Sequence, residues 1–173
     1  LGSINLDNLP TQRVEQIAQE VMTEIQVEMR TKPSLIVSER PEPTPLAAMS
    51  YANGKCVVII NINDTAWAQW GRFLTHENKT YWNEIIAASV AHEMGHCLRE
   101  SRDFAANNAL GTQVLRGLQA LEKSNSMAGL VYKQELFSDA VAILYAREHG
   151  GAHADDVAAG ADHRSAEYDV GRI

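Results

Sequence analysis

The sequence predicts an α+β domain in which a small, largely antiparallel sheet packs beside a central helix and the C-terminal half is helical. Three observations carry that expectation. Apolar residues recur at three- and four-residue steps near the N-terminus; Asn53-Gly54 stands between two apolar runs; and the stretch Tyr81 to Leu98 is apolar almost all round and free of proline. The 173 residues fit a single domain, 1–173, and show no internal repeat or linker. A domain of this size buries roughly 70% of the surface its unfolded chain exposes, so no metal or disulfide staple is required for a core.

Between Asn8 and Arg30, Val14, Ile17, Ala18, Val21, Ile25 and Met29 fall on one helical stripe, with Pro10 suited to the first turn. Ser34 to Ser38 reads as a short strand, and Pro41, Pro43 and Pro45 impose a loop after it. Leu46 to Ala52 and Lys55 to Ile62 form a β-hairpin about Asn53-Gly54, the dipeptide best suited to positive φ at two central turn residues. Asp64 and Thr65 can cap a short helix reaching toward Phe73, and Thr75 to Lys79 is a polar loop. Helices follow over about Tyr81–Leu98, Phe104–Lys123 and Met127–His149, the last stopped by Gly150-Gly151. The final twenty-odd residues lack periodicity and read as a short helix or a tail.

Composition narrows the function classes. Fifteen Lys plus Arg against 22 Asp plus Glu give a formal charge of −7, with no dense basic block, which argues against a nucleic-acid partner. No apolar run approaches the ~20 residues of a membrane span, and the chain reads as a soluble domain, with a cytoplasmic or a secreted setting both open. Cys56 and Cys97 allow at most one bridge, too few for a disulfide scaffold, and are compatible with buried free thiols. Cys97 points about 100° around the helix from His96, so it reads as core packing rather than a ligand. The chain opens Leu1-Gly2-Ser3 without an initiator Met, like a cloning scar or the edge of an excised fragment. Oligomeric state is not legible.

The chemistry concentrates in His92-Glu93-Met94-Gly95-His96. Histidines four apart on a helix project from one face with Cβ atoms about 5–6 Å apart, so one ion can bridge them. Glu93 can then reach a metal-bound water as general base without ligating. With six His and fourteen Glu in the chain, His-Glu-x-x-His arises by chance in roughly one such sequence in sixty. Its place in an apolar helix makes coincidence a poor account, since unpartnered His and Glu are costly to bury. A catalytic zinc takes three protein ligands and leaves a fourth position for water. Glu100 lies eight residues from His92, about 12 Å along the axis, too far to share the ion. Glu135-Leu136-Phe137-Ser138-Asp139 supplies an alternative, with Glu135 and Asp139 on one face of the next strong helix.

HEMGH followed by a downstream Glu-x-x-x-Asp resembles the gluzincin metallopeptidases. That resemblance implies a zincin-like fold, one catalytic Zn²⁺ held by His92, His96 and Glu135, and Asp139 hydrogen-bonded to His92. Ligating imidazoles usually donate their second N–H to such a carboxylate. Metzincins carry Gly and His at the third and sixth places after the second His, where this chain has Arg99 and Arg102. The aspzincin pattern requires Asp after Gly-Thr-x-x, where Gly111-Thr112 is followed by Gln113, Val114 and Leu115.

The reaction implied is peptide-bond hydrolysis, with a peptide or protein as substrate and Glu93 relaying the water proton to the departing amine. An extended substrate pairs with an edge strand ahead of the active-site helix, here Lys55–Ile62 or its hairpin partner. Tyr132, His153, His163 and Tyr168 have the chemistry to act as an additional oxyanion donor, and sequence does not choose among them. The competing readings are a zincin-like binding or structural module that cuts nothing, and a catalytic domain of a larger secreted toxin or effector.

Overall fold

The computed structural model describes residues 11–27, 29, 32–41, 45–50, 55–63, 66, 81–100, 112–114, 116–117, 130–149 and 153–157. Helix α1, Thr11–Ile25, buries Val14, Ile17, Ala18, Val21, Met22 and Ile25, the three-and-four spacing read from the sequence, and leaves Gln16, Gln19 and Glu20 outside. The helix ends earlier than the apolar stripe. Gln26 N–H still donates to the Met22 carbonyl at 2.9 Å, but Met29 N–H donates to Gln26 at 3.0 Å, a tighter turn that tucks the Met29 side chain into the core.

Strands β1 (Ser34–Ser38), β2 (Leu46–Ser50) and β3 (Cys56–Asn61) form one sheet in the order β1-β3-β2. β2 and β3 pair antiparallel, as a hairpin requires, whereas β1 and β3 run parallel. The sheet is therefore mixed, not largely antiparallel. Five residues separate the paired Ser50 and Cys56, an odd number, whereas an uninterrupted ladder closed by a two-residue turn leaves an even one. Asn53-Gly54 itself lies outside the described residues.

β3 is the central strand, and its inward residues Val58 and Ile60 are fully buried. Asn61 closes its end. Its Nδ2 donates to the Arg40 carbonyl at 2.8 Å and its Oδ1 accepts from Asn63 N–H at 2.8 Å, while its own N–H donates to the Pro45 carbonyl at 2.9 Å. This buried amide thereby ties the proline-bearing segment to the sheet.

Helix α2, Trp82–Glu100, packs across β2 and β3 on one side and against helix α3, Leu130–His149, on another. Ile86, Val90, Ala91, Met94, Cys97 and Leu98 are all buried, as an all-round apolar helix demands. The helices approach closely at Gly95: a Cβ built there would lie 2.7 Å from Ser138 Cα. Cys97 also forms a disulfide with Cys56, Cα atoms 5.5 Å apart, stitching α2 to the start of β3. Of the two states the sequence leaves open for this pair, the structure has the bridge. Between α2 and α3, residues 112–114 and 116–117 are helical, with Val114 fully buried, and 153–157 follow α3 as a short turn of helix. The short helix and polar loop expected over 64–79, and the Gly150-Gly151 stop, lie outside the described residues apart from Ala66.

Candidate metal centre

His92 and His96 stand one turn apart on α2 with ring centroids 5.0 Å apart and planes nearly perpendicular. From α3, Glu135 directs one carboxylate oxygen to each: Oε2 lies 3.3 Å from His92 Nε2 and Oε1 lies 3.2 Å from His96 Nε2. One ligand atom from each residue falls within 4.8 Å of the others, so the trio can hold a metal ion. One helical turn beyond Glu135, Asp139 is almost wholly buried and its Oδ1 sits 2.8 Å from His92 Nδ1.

In the neutral tautomer whose Nδ1–H donates to Asp139, the Nε2 lone pair of His92 faces Glu135 at 3.3 Å, and the two acceptors repel unless a proton or a metal cation lies between them. Ligands at the ~2.0–2.2 Å distances of a tetrahedral zinc site lie roughly 3.3–3.5 Å from one another, close to the observed N···O separations. The donor set, two imidazoles and a carboxylate, suits such an ion. Burial pulls the His92 imidazole down from its ordinary 6.5, but the hydrogen bond and charge of Asp139, joined by Glu93 and Glu135, outweigh it and raise the pKa. The same carboxylates that would attract a metal attract a proton.

Glu93 lies next to His92 around the helix. Burial raises its pKa above the ordinary 4.5; His92 opposes that shift and Glu135 adds to it. Exposure is graded across the site: the Asp139 side chain is 6% exposed, His92 16%, His96 23% and Glu135 55%. The site therefore opens toward solvent on the Glu135 side and is anchored on the Asp139 side.

Of the additional oxyanion candidates, Tyr132 lies on α3 three residues before Glu135, its side chain outside the described residues. His163 and Tyr168 are also outside them. His153 does not join the cluster. Its ring stacks on Tyr81 at a centroid distance of 4.3 Å, and Tyr81 precedes His92 by eleven residues, roughly 16 Å along the helix. Two contributors were not singled out as functional from sequence. Gly95 permits the helix contact, and Cys97 anchors α2 to the sheet; the one available signal was that both flank His96. Compared with family models, curated proteins and solved structures, the chain finds no match in any of the three.

Proposed function

We propose that the chain is a zinc-dependent peptidase of gluzincin type, with His92, His96 and Glu135 as ligands and Glu93 as general base and acid. The observation that carries this reading is the convergence of both His Nε2 atoms on the Glu135 carboxylate, with Asp139 behind His92. Bound zinc would polarise a water and the peptide carbonyl. Glu93 takes the water proton and returns it to the departing amine, work that suits a carboxyl raised by burial. Asp139 holds the His92 tautomer that leaves Nε2 free to ligate. Only three candidate ligands gather among the described residues, and the most exposed of them opens the site to solvent, which favours catalysis over a closed structural centre.

β2 is an edge strand beside α2, while β3 is paired on both sides. Of the two strands suggested for pairing with an extended substrate, only β2 has an unpaired ladder edge among the described residues. The peptide class of substrate rests on this edge and on the motif. No helix among the described residues is long and apolar enough to cross a membrane.

The test is Glu93→Gln in zinc-loaded protein with an unstructured protein as substrate. Zinc stoichiometry should stay at one while cleavage falls by at least about 100-fold, the usual worth of a general base. Undiminished cleavage sinks the proposed mechanism.

A further inference from the structure

At the end of the α2/α3 pair remote from His96, the packing changes character. Tyr81, Ala88, Ala146 and Val157 form a separate small core cluster, joined by partly buried Ile85. Its side chains are mostly short, and they leave a cavity of about 110 Å³ walled by Ala87, Ala88, Ala146, Ala154 and Val157. Glu84 lines the same cavity, and its Oε2 is shut off from solvent with no hydrogen-bond partner. A carboxylate oxygen removed from water is stabilised by meeting a donor, so Glu84 Oε2 is placed to accept one from an occupant of the cavity.

The other polar groups on the cavity wall are already engaged. Tyr145 donates its hydroxyl to Glu24 Oε2 at 3.0 Å, and His149 Nε2 meets the same oxygen at 2.6 Å. His149 Nδ1 lies 3.2 Å from the Tyr145 carbonyl, and the two rings stack at 4.1 Å. Burial, and then the Glu24 carboxylate, push the Tyr145 pKa well above its ordinary 10, so its hydroxyl remains a donor to Glu24. Glu84 Oε2 is thus the uncommitted acceptor among the described lining residues.

We propose that this cavity is a binding site for a primary ammonium carried on a short aliphatic chain. The head donates to Glu84, and the chain lies against the alanines and Val157. A carboxylate oxygen lacking a donor complements a cationic N–H, and the alanine and valine wall complements a short alkyl chain. The volume admits several waters or a chain of roughly four or five heavy atoms. The formal charge of −7 favours arrival of a cation. The site does not depend on the metal centre or on the proposed activity.

Titration of the full chain with n-butylammonium, followed calorimetrically and by amide chemical shifts, tests the assignment. Saturable one-to-one binding is expected, with shifts confined to the residues around Glu84, Ala146 and Val157, and unchanged after chelator treatment. Neutral 1-pentanol should bind at least ten-fold more weakly. Glu84→Gln should lose ten-fold or more, and Ala146→Leu, which fills the cavity, should abolish binding. Equal affinity for pentanol and butylammonium, or undiminished binding to Glu84→Gln, overturns the proposal, and the pentanol comparison needs no variant. A parallel titration with Nα-acetyl-lysine amide distinguishes sources: binding places lysyl side chains among the occupants, while butylammonium binding alone assigns the site to free amines.

Discussion

Replacing Gly95 with alanine tests whether helix packing sets the metal geometry. The added Cβ would lie 2.7 Å from Ser138 Cα and 3.2 Å from its Cβ and Oγ. Because the nearest atom belongs to the α3 backbone, no rotamer change relieves the contact. Restoring ordinary carbon–carbon separation of about 3.6–3.8 Å requires the helices to part by roughly 1 Å. Overpacking of this kind costs about 1–3 kcal/mol, offset by about 0.5–1 kcal/mol from removing a helical glycine. A net loss of about 1–2 kcal/mol lowers Tm by roughly 2–8 °C in a domain of this size. Zinc affinity should suffer more. Glu135 sits one turn from Ser138 on the moving helix, and metal–ligand distances tolerate only about 0.2 Å. At least a ten-fold loss is expected, read by competition with a chromophoric chelator alongside thermal unfolding of the metal-free protein. Unchanged Tm together with unchanged zinc affinity refutes the reasoning.

Asp139→Asn keeps the shape of the His92 partner but removes its charge, and should weaken zinc by about 10–100-fold; wild-type affinity in that variant rejects the orienting role. In metal-free protein, the raised pKa of His92 contributes stability that is full below its ordinary 6.5 and is lost as pH rises through the folded value. Glu93, also raised, loses its contribution as pH climbs from 4.5 through its own folded value. Zinc needs neutral His92, so the Tm gap between zinc-loaded and chelated protein should widen with pH above 6.5, and a constant gap contradicts this linkage. The Cys56–Cys97 bridge spans 41 positions and should contribute about 4 kcal/mol on the chain-entropy account, measured by denaturant unfolding with and without reductant. Two titratable thiols in unreduced, denatured protein would remove the bridge from the fold.

Much of this architecture is legible because local periodicity and local chemistry agree. The α1 stripe, the strand SLIVS, the hairpin partners and the apolar α2 each declare themselves within a window of one element. The site is legible for the same reason: His92 with His96, and Glu135 with Asp139, are each pairs four apart on one helix, and only their meeting is tertiary. What sequence did not show depends on contacts between distant segments. The parallel pairing of β1 with β3 is set by how the chain returns after the prolines, not by the composition of either strand. A cysteine pair 41 residues apart carries no local mark of proximity. Gly95 looks like an indifferent helix residue until Ser138 is seen against it. The early end of α1 is a change from the Gln26–Met22 bond to the tighter Met29–Gln26 one, with Met29 still buried, and apolar spacing alone does not mark it.

The residues on either side of His96 explain how so short a motif acquires a fixed geometry. Successive helical positions diverge by about 100°, so Gly95, His96 and Cys97 necessarily face three directions. Gly95 faces α3, His96 the open site and Cys97 the sheet. The His96 imidazole is thus positioned by neighbours outside the candidate metal site: one sets the distance to the helix carrying Glu135, the other the distance to the sheet whose edge lies beside α2. Asp139 adds rotation, holding the His92 ring about its own axis through a 2.8 Å contact. Distance to α3, placement on the sheet and ring orientation are therefore controlled by three separate interactions. A site arranged in this way brings its side chains together without a metal, and a metal ion entering it competes with the proton whose affinity for His92 the same carboxylates raise.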